Sequence, residues 1–158
     1  MTVDFTIKPV VRQEEVCAAA LIVGQQVSQK TIDENERPTL GTASRFQAEQ
    51  AMCNPRFSFF AAYRLDGAAI GYISGEVRPS IYVEGQINGY ELFWAVIDKY
   101  RRSGVGIALL NVWEDYCKSQ GCKHVYMGLT SRVEPEILRH IYAKRGYTLH
   151  SESYSKTF

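Results

Sequence analysis

One continuous stretch, residues 90–121, constrains the fold of this chain more than any other. Residues 90–97 are apolar and β-rich apart from Glu91, which is typical of a strand. Residues 98–103 are polar and basic. The apolar residues that follow recur at helical spacing, at Ile107, Leu110, Trp113 and Cys117. The stretch therefore predicts a strand, a basic turn and a helix, in that order.

The basic turn has the composition of an anion-binding site. Lys99, Arg101 and Arg102 supply positive charge, and Gly104 and Gly106 have no Cβ to keep a ligand away from the backbone. The first N–H groups of a helix have no internal acceptor and carry the positive end of the helix dipole. A phosphate or pyrophosphate is the ligand expected there.

Three kinds of phosphate-binding turn use glycines in this setting. A P-loop requires Gly-x-x-x-x-Gly-Lys-Ser/Thr, and the sequence contains no such run. A dinucleotide site needs a third glycine where Leu109 stands, and usually a longer chain. The third kind is Arg/Gln-x-x-Gly-x-Gly/Ala, which residues 101–106 match. The remaining alternative is an ordinary turn whose glycines serve packing.

Residues 101–106, preceded by residues 96–100 and followed by Ala108, closely resemble the acetyl-CoA-binding motif of the GNAT acyltransferase superfamily. A second motif lies downstream, where Tyr142 is followed by Gly146 and Tyr147. It resembles the superfamily's second signature, whose tyrosine sits near the CoA sulfur in many members. The alternative for this tyrosine is a partly buried packing residue.

The resemblance covers about the C-terminal half of the chain, residues 90–147, and includes three departures from the family pattern. Asp98 stands where many relatives have proline, and Arg102 replaces a common glycine. Pro135 takes the place of an asparagine often found seven residues before the tyrosine.

The resemblance implies an α/β fold of the GNAT type in a single domain, residues 1–158. This fold is a twisted, mostly antiparallel sheet with one parallel strand pair at the cofactor cleft and about four helices. The implied reaction is direct transfer of an acetyl group from acetyl-CoA, a co-substrate, to a primary amine of a small molecule or protein. The alternative is a non-catalytic acyl-CoA-binding sensor or interaction module on the same fold.

The resemblance also assigns site residues. Glu91 would act as general base through water, or alternatively serve only as a hydrogen-bonded strand residue. Tyr142 would assist the leaving thiolate. A backbone N–H near Ala95 or Val96 would polarise the thioester carbonyl, and this strand would bind the pantetheine arm. The residues expected to hold the pyrophosphate, through side chains or N–H groups, are Arg101, Arg102, Ser103, Gly104, Val105, Gly106 and Ile107.

Composition narrows the function classes. A length of 158 residues suits one domain with its own core. The net charge of +1 argues against a nucleic-acid-binding protein. No apolar run reaches the ~18–20 residues of a membrane helix, and we expect no membrane partner. The four cysteines form no Cys-x-x-Cys pair, so we expect no metal site. We expect a reducing, cytoplasmic setting for the protein.

The variable segments are expected to select the acceptor. Residues 28–41 contain Asp33, Glu34 and Glu36, which would form either an acidic lip for an amine or a solvated loop. Residues 78–88 read as a second loop. The segments 147–150 and 154–158 are predicted as terminal strands. The tyrosine and tryptophan content leaves open a homodimer surface or only a core.

Overall fold

The structure, a computed structural model, describes residues 3–26, 39–129 and 135–151, except for the side chains of residues 39–43. The chain divides into two compact units, Met1–Gly128 and Leu129–Phe158. The single domain expected over residues 1–158 stays a prediction.

A five-stranded sheet forms the centre of the first unit, with its strands side by side in chain order. Each of the first three neighbouring pairs is antiparallel, and the fifth strand lies parallel to the fourth. The predicted mostly antiparallel sheet with one parallel pair is therefore confirmed. The strands are β1 Phe5–Pro9, β2 Phe57–Arg64, β3 Ala69–Pro79, β4 Ile87–Val96 and β5 His124–Tyr126.

The described residues contain four α-helices, as predicted. Three belong to the first unit and one to the second, and a short 3₁₀ helix, Asp98–Tyr100, connects β4 to the third. The α-helices are α1 Gln13–Gln26, α2 Thr39–Cys53, α3 Val105–Ser119 and α4 Pro135–Lys144.

The core of the first unit lies on both faces of the sheet. Alternate residues of β2 and β3 point to opposite faces: Phe59 stacks on Tyr72, while Phe60 meets Tyr116 of α3 edge to face. The face of α3 on the sheet consists of residues four apart that have no exposed surface, Val105, Leu109, Trp113 and Cys117. Ile107 does not share this face, since 37% of its surface is exposed.

Some strand boundaries differ from those predicted. β4 begins at Ile87 because the β3–β4 hairpin continues its pairing to Pro79 and Ile87, inside the segment predicted as a loop. β5 is a short strand, since its ladder with β4 contains only residues 124–126. Residues 147–151 pair with no strand among the described residues, and 154–158 lie outside them.

A close approach between α3 and the sheet leads to a stability prediction for Gly75. A Cβ at this position would collide with the Tyr90 carbonyl oxygen and lie 2.6 Å from the Trp113 ring. We expect Gly75→Ala to lower the free energy of unfolding by about 1–3 kcal/mol, because a rigid core must shift to admit it. Urea unfolding measures the change.

Gly106→Ala is the control, because its Cβ would meet the nearest atom, in Trp94, at an ordinary 3.4 Å. Alanine is the better helix former, so this variant should equal wild type or exceed it by up to about 1 kcal/mol. Equal unfolding midpoints for Gly75→Ala and wild type would contradict the packing described.

Candidate active site

One edge of β4 loses its partner halfway along the strand. The parallel ladder with β5 ends at the pair Tyr90 and Tyr126, whereas the antiparallel ladder with β3 continues to Val96. Residues 91–96 therefore form an open edge of β4, which faces no other strand among the described residues. Such an edge presents N–H and C=O groups to an extended ligand. Ala95 and Val96, predicted to bind the pantetheine arm, lie on it.

A β-bulge lies at the start of this open edge. Gly75 of β3 pairs with Glu91 and Ser74 pairs with Phe93, so Leu92 is an extra residue in β4. A bulge bends its strand and increases the local twist, and it changes where the neighbouring side chains point. The bulge and the end of the β5 ladder thus coincide at Glu91.

The Glu91 carboxylate is held by the backbone after β5. The amide N–H of Gly128 donates a hydrogen bond to Glu91 Oε2 at 2.8 Å. Burial raises the pKa of Glu91 above its ordinary value, and the bond from Gly128 opposes part of that increase. The carboxylate is therefore a stronger base than an exposed glutamate.

The basic turn after β4 folds into tight hydrogen-bonded loops ahead of α3. The N–H of Tyr100 donates to the carbonyl of Ile97 at 2.7 Å, and the N–H of Ser103 donates to the carbonyl of Tyr100 at 3.1 Å. Gly104 caps the helix with φ of 89°, a left-handed conformation that favours glycine. The N–H groups of Val105, Gly106 and Ile107 follow in the first helical turn, where no helical acceptor exists for them.

Two side chains of this turn stabilise the turn itself. The Arg101 guanidinium lies 2.8 Å from the Asp98 carboxylate, and its Nε donates to the Val96 carbonyl at 3.5 Å. The Ser103 hydroxyl donates to the Tyr100 carbonyl at 2.7 Å. Asp98, which departs from the family pattern, thus has a structural partner. Arg102 is exposed at the same turn.

The start of α3 lies against the end of the open edge. A Cβ at Gly106 would contact the Trp94 ring at 3.4 Å and Val96 Cγ2 at 3.7 Å. The structure therefore brings the residues predicted for pantetheine binding, Ala95 and Val96, next to the helix N-terminus predicted for the pyrophosphate. Glu91 lies about 13 Å further along the same strand, because four paired steps along β3, from Gly71 to Gly75, separate it from Val96.

A buried polar network beside the bulge had no signal in the sequence. Ser74 Oγ donates to Gln47 Oε1 at 2.8 Å, and Gln47 Nε2 donates to the Tyr72 hydroxyl at 3.2 Å. Gln47 and Ser74 have no exposed surface, and the network joins α2 to β3. Burial raises the pKa of Tyr72, which also interacts electrostatically with Glu91. The network makes the position of β3 next to the bulge more rigid.

Tyr142 lies on α4 in the second unit. Its ring is 5.4 Å from that of Tyr147, and its carbonyl accepts the N–H groups of Arg145 and Tyr147, both at 3.0 Å. Gly146 has φ of 81° after the helix, the left-handed conformation that often ends a helix. The role of Tyr142 near the thioester stays a prediction.

Other predicted features have plainer outcomes. Asp33, Glu34 and Glu36 lie outside the described residues. The described part of the chain holds no group of three His, Cys, Asp or Glu side chains arranged to bind a metal. Within ranges 3–26, 39–129 and 135–151, no helix is both long enough and apolar enough to cross a membrane.

The sequence matches the acetyltransferase (GNAT) family over residues 28–147. This match covers most of the length of the chain, so the chain belongs to the GNAT acetyltransferase family. A further similarity is to aminoglycoside N(6')-acetyltransferase type 1 from Klebsiella aerogenes, 37% identical over 60 residues. That alignment covers 36% of this chain and 38% of the relative, so the match spans well under half of the relative's length.

Solved structures of acetyltransferases share the fold. Glucosamine-6-phosphate N-acetyltransferase from Arabidopsis thaliana has a TM-score of 0.67 and 20% identity, over 98% of this chain and 99% of that one. AAC(6')-Iy, solved with the bisubstrate analog CoA-S-monomethyl-acetylneamine, has a TM-score of 0.69 and 15% identity, over 98% and 99%. At such low identities these similarities establish the fold alone.

Proposed function

We propose that this chain catalyses direct transfer of the acetyl group of acetyl-CoA to a primary amine. The observation that carries the proposal is Glu91, a carboxyl with a raised pKa at the point where the open edge of β4 begins. A basic carboxylate beside an unpaired strand edge suits a reaction that must remove a proton from an amine. GNAT enzymes use acetyl-CoA as their usual donor, and the family membership of the chain supports the same donor here.

The cofactor-binding residues would divide between two tasks. The pantetheine arm would extend along the open edge and bond with the backbone of Ala95 and Val96. The pyrophosphate would lie on the N–H groups of residues 104–107, with the exposed Arg102 adding charge. Arg101 and Ser103 would support this site by stabilising the turn, since each already bonds within it.

The acceptor must lose a proton before it can attack. An alkylammonium has a pKa of ~10.4 and an ordinary glutamate ~4.3, so direct transfer in water is uphill by about 8 kcal/mol. Burial of Glu91 reduces this gap from the side of the base, and desolvation of the ammonium would reduce it from the other side. The raised pKa of Glu91 is therefore in the direction that the reaction requires.

Tyr142 is proposed to donate a hydrogen bond to the departing thiolate, as its place in the second motif implies. A tyrosine at ~10 is a weaker acid than a thiol at ~8.5, so complete proton transfer would cost about 2 kcal/mol in water. A strong hydrogen bond during C–S cleavage avoids that cost. Tyr142 would thus act in the transition state more than in binding.

Tyr142→Phe tests this role. We expect kcat to fall at least about tenfold, because a donor that acts mainly in the transition state is lost. The dissociation constant of acetyl-CoA should stay within about threefold of wild type, since hydroxyl removal leaves the ring. Steady-state kinetics and calorimetry measure the two quantities. Unchanged turnover would remove Tyr142 from the mechanism.

The acceptor is proposed to be a small polar amine, with aminoglycosides as the first class to examine. The alignment to the Klebsiella aerogenes enzyme supports this choice. Amino acids and the N-termini of proteins are further classes. We also propose a cytoplasmic setting, which the free thiols of all four cysteines fit.

A direct assay decides between catalysis and binding alone. The purified chain is incubated with acetyl-CoA and, separately, an aminoglycoside, a polyamine, an amino acid and a peptide with a free N-terminus. We expect amine-dependent release of free CoA and an equal amount of acetylated amine by mass spectrometry. Binding of acetyl-CoA with no acetylated product from any class would overturn the proposal and favour the non-catalytic binding module.

A further inference from the structure

The end of the β4–β5 ladder is fixed by stacked aromatic rings. The rings of Tyr90 and Tyr126 lie 5.0 Å apart at an interplanar angle of 11°, and these two residues form the last pair of the ladder. The Arg78 guanidinium lies over the Tyr90 ring, 4.3 Å from its centre. The backbone that leaves β5 therefore starts from a position defined by three packed side chains.

Gly128 is two residues beyond this stacked pair, and its backbone reaches the Glu91 carboxylate. Its N–H donates to Oε2 at 2.8 Å, and a Cβ on this glycine would lie only 3.1 Å from the same oxygen. The close approach suits a residue without a side chain. The donor is a main-chain N–H group. Its hydrogen bond to Glu91 therefore costs no side-chain conformational entropy on the donor side.

The bond also determines which part of the carboxylate remains available. A carboxylate has two oxygens and about four acceptor sites, and the Gly128 N–H occupies one site on Oε2. No hydrogen bond to Oε1 is found within the described residues, so this oxygen can accept a proton from an amine or from an intervening water. Fixing one oxygen thereby orients the other.

We propose that the amide N–H of Gly128 is a positioning group for Glu91, which holds Oε2 so that Oε1 faces the proton to be removed. The inference rests on the proposed function. In the step it serves, an N–H bond of the ammonium breaks and its proton passes to Oε1. The freed nitrogen lone pair forms a bond to the thioester carbonyl carbon, and the C–S bond breaks with its electron pair on sulfur. The nitrogen then loses a second proton and the thiolate gains one, which leaves a neutral amide and free CoA.

The side chains near Glu91 determine whether a pH titration can be assigned to it. Tyr72 on β3 interacts electrostatically with Glu91. Burial raises the pKa of Tyr72 above its ordinary value, so it stays neutral across the range in which a carboxyl titrates. A titration at Gly128 between acid and neutral pH that is present in wild type and absent in Glu91→Gln would therefore report on Glu91.

The first experiment follows the Gly128 amide by ¹⁵N–¹H NMR over pH 4–8 in wild type and in Glu91→Gln. We expect the amide proton of wild type to shift with a midpoint above ~4.5, the ordinary range of a carboxyl, and not to titrate in Glu91→Gln. A Gly128 amide that does not respond to pH in wild type would overturn the inference. This result needs no turnover, so it is independent of the proposed function.

The second experiment compares wild type with Gly128→Pro, which removes the donor, and with Gly128→Ala, which keeps it but crowds Oε2. Loss of a hydrogen bond to the charged form raises a carboxyl pKa, so the acid limb of kcat/KM should move upward by about one unit in Gly128→Pro. It should move in the same direction by less in Gly128→Ala. The KM for acetyl-CoA should stay within about twofold.

The outcomes separate the two claims. An acid limb that coincides in wild type and in a folded Gly128 variant would reject the positioning role, even where wild type transfers acetyl groups. Absence of transfer by wild type with every amine class would reject the proposed function, while the NMR titration would still decide the bond. If Gly128→Pro does not fold, Gly128→Ala and the titration decide the inference.

Discussion

Glu91→Gln is expected to lower kcat by at least about 100-fold, the usual minimum for loss of a general base. Glutamine has nearly the same shape, and its carbonyl oxygen can still accept the Gly128 N–H that now binds Oε2. What it lacks is a basic oxygen. The dissociation constant of acetyl-CoA should therefore stay close to that of wild type, and kcat and kcat/KM should fall together.

The pH dependence of stability gives the same variant a second signature. Burial raises the folded-state pKa of Glu91, so folding favours its protonated form. This contribution to stability is fully present below the unfolded pKa and is lost as pH rises through the folded pKa. Wild type thus carries a partly desolvated charge at neutral pH that Glu91→Gln does not. We expect the variant to melt higher than wild type at pH 7, with the difference disappearing on acidification.

Glu76→Gln is the matched control for Glu91→Gln. Glu76 is a partly buried glutamate on the neighbouring strand, and its Oε1 accepts a 2.8 Å bond from Asn54 that glutamine can also accept. Its turnover should stay within about threefold of wild type, as for a substitution away from the reacting atoms. Fixed-time assays at saturating acetyl-CoA measure the turnover of both variants. Full turnover by Glu91→Gln would assign Glu91 to the hydrogen-bonded strand role alone.

Gly104→Glu is expected to abolish acetyl-CoA binding. The new carboxylate would stand at the N-terminal cap of α3, where the pyrophosphate is proposed to lie, and would repel it. At ~100 times the dissociation constant, ligand binding stabilises a folded protein by about 2.7 kcal/mol. For a chain of this size that corresponds to a melting shift of roughly 5–10 °C. Wild type should show this shift and Gly104→Glu should not.

Gly85→Glu controls for backbone strain and for added charge. Gly85 also has a positive φ, 75° against 89° for Gly104, and a Cβ at either position would have no atom within 4 Å. Both variants should therefore lose similar stability without ligand. Gly85 lies in the loop between β3 and β4, at the opposite end of β4 from α3, so its variant should keep the full shift. Equal shifts in both variants would place the anion site elsewhere.

Local patterns in the sequence determine a large part of this fold. The apolar period of α3 predicts most of its buried face, since Leu110, Trp113 and Cys117 are buried while Ile107 is not. Gly104 and Gly146 indicate helix ends because only glycine readily adopts the left-handed conformation found at both. These features depend on residues that are close in sequence, so a sequence pattern is enough to predict them. The anion-binding composition of residues 101–106 is likewise a local feature that the sequence alone reveals.

Other features of the candidate site depend on the tertiary structure. The bulge at Leu92 and the end of the ladder at Tyr90 follow from the register of three strands. The partner of Glu91 is 37 positions away, and those of Gln47 are 25 and 27 away. Arg101, which composition assigns to an anion, pairs with Asp98.

The physical reason is the range of the interactions concerned. Helix periodicity and glycine conformation depend on residues only a few positions apart. The basic turn, the left-handed glycine in it and the helix after it could therefore be predicted from the sequence. A carboxyl pKa depends on burial and on donors that distant strands supply. The position of the partly buried Glu91 carboxylate at the open edge of β4, with the Gly128 amide against it, therefore depends on contacts between strands.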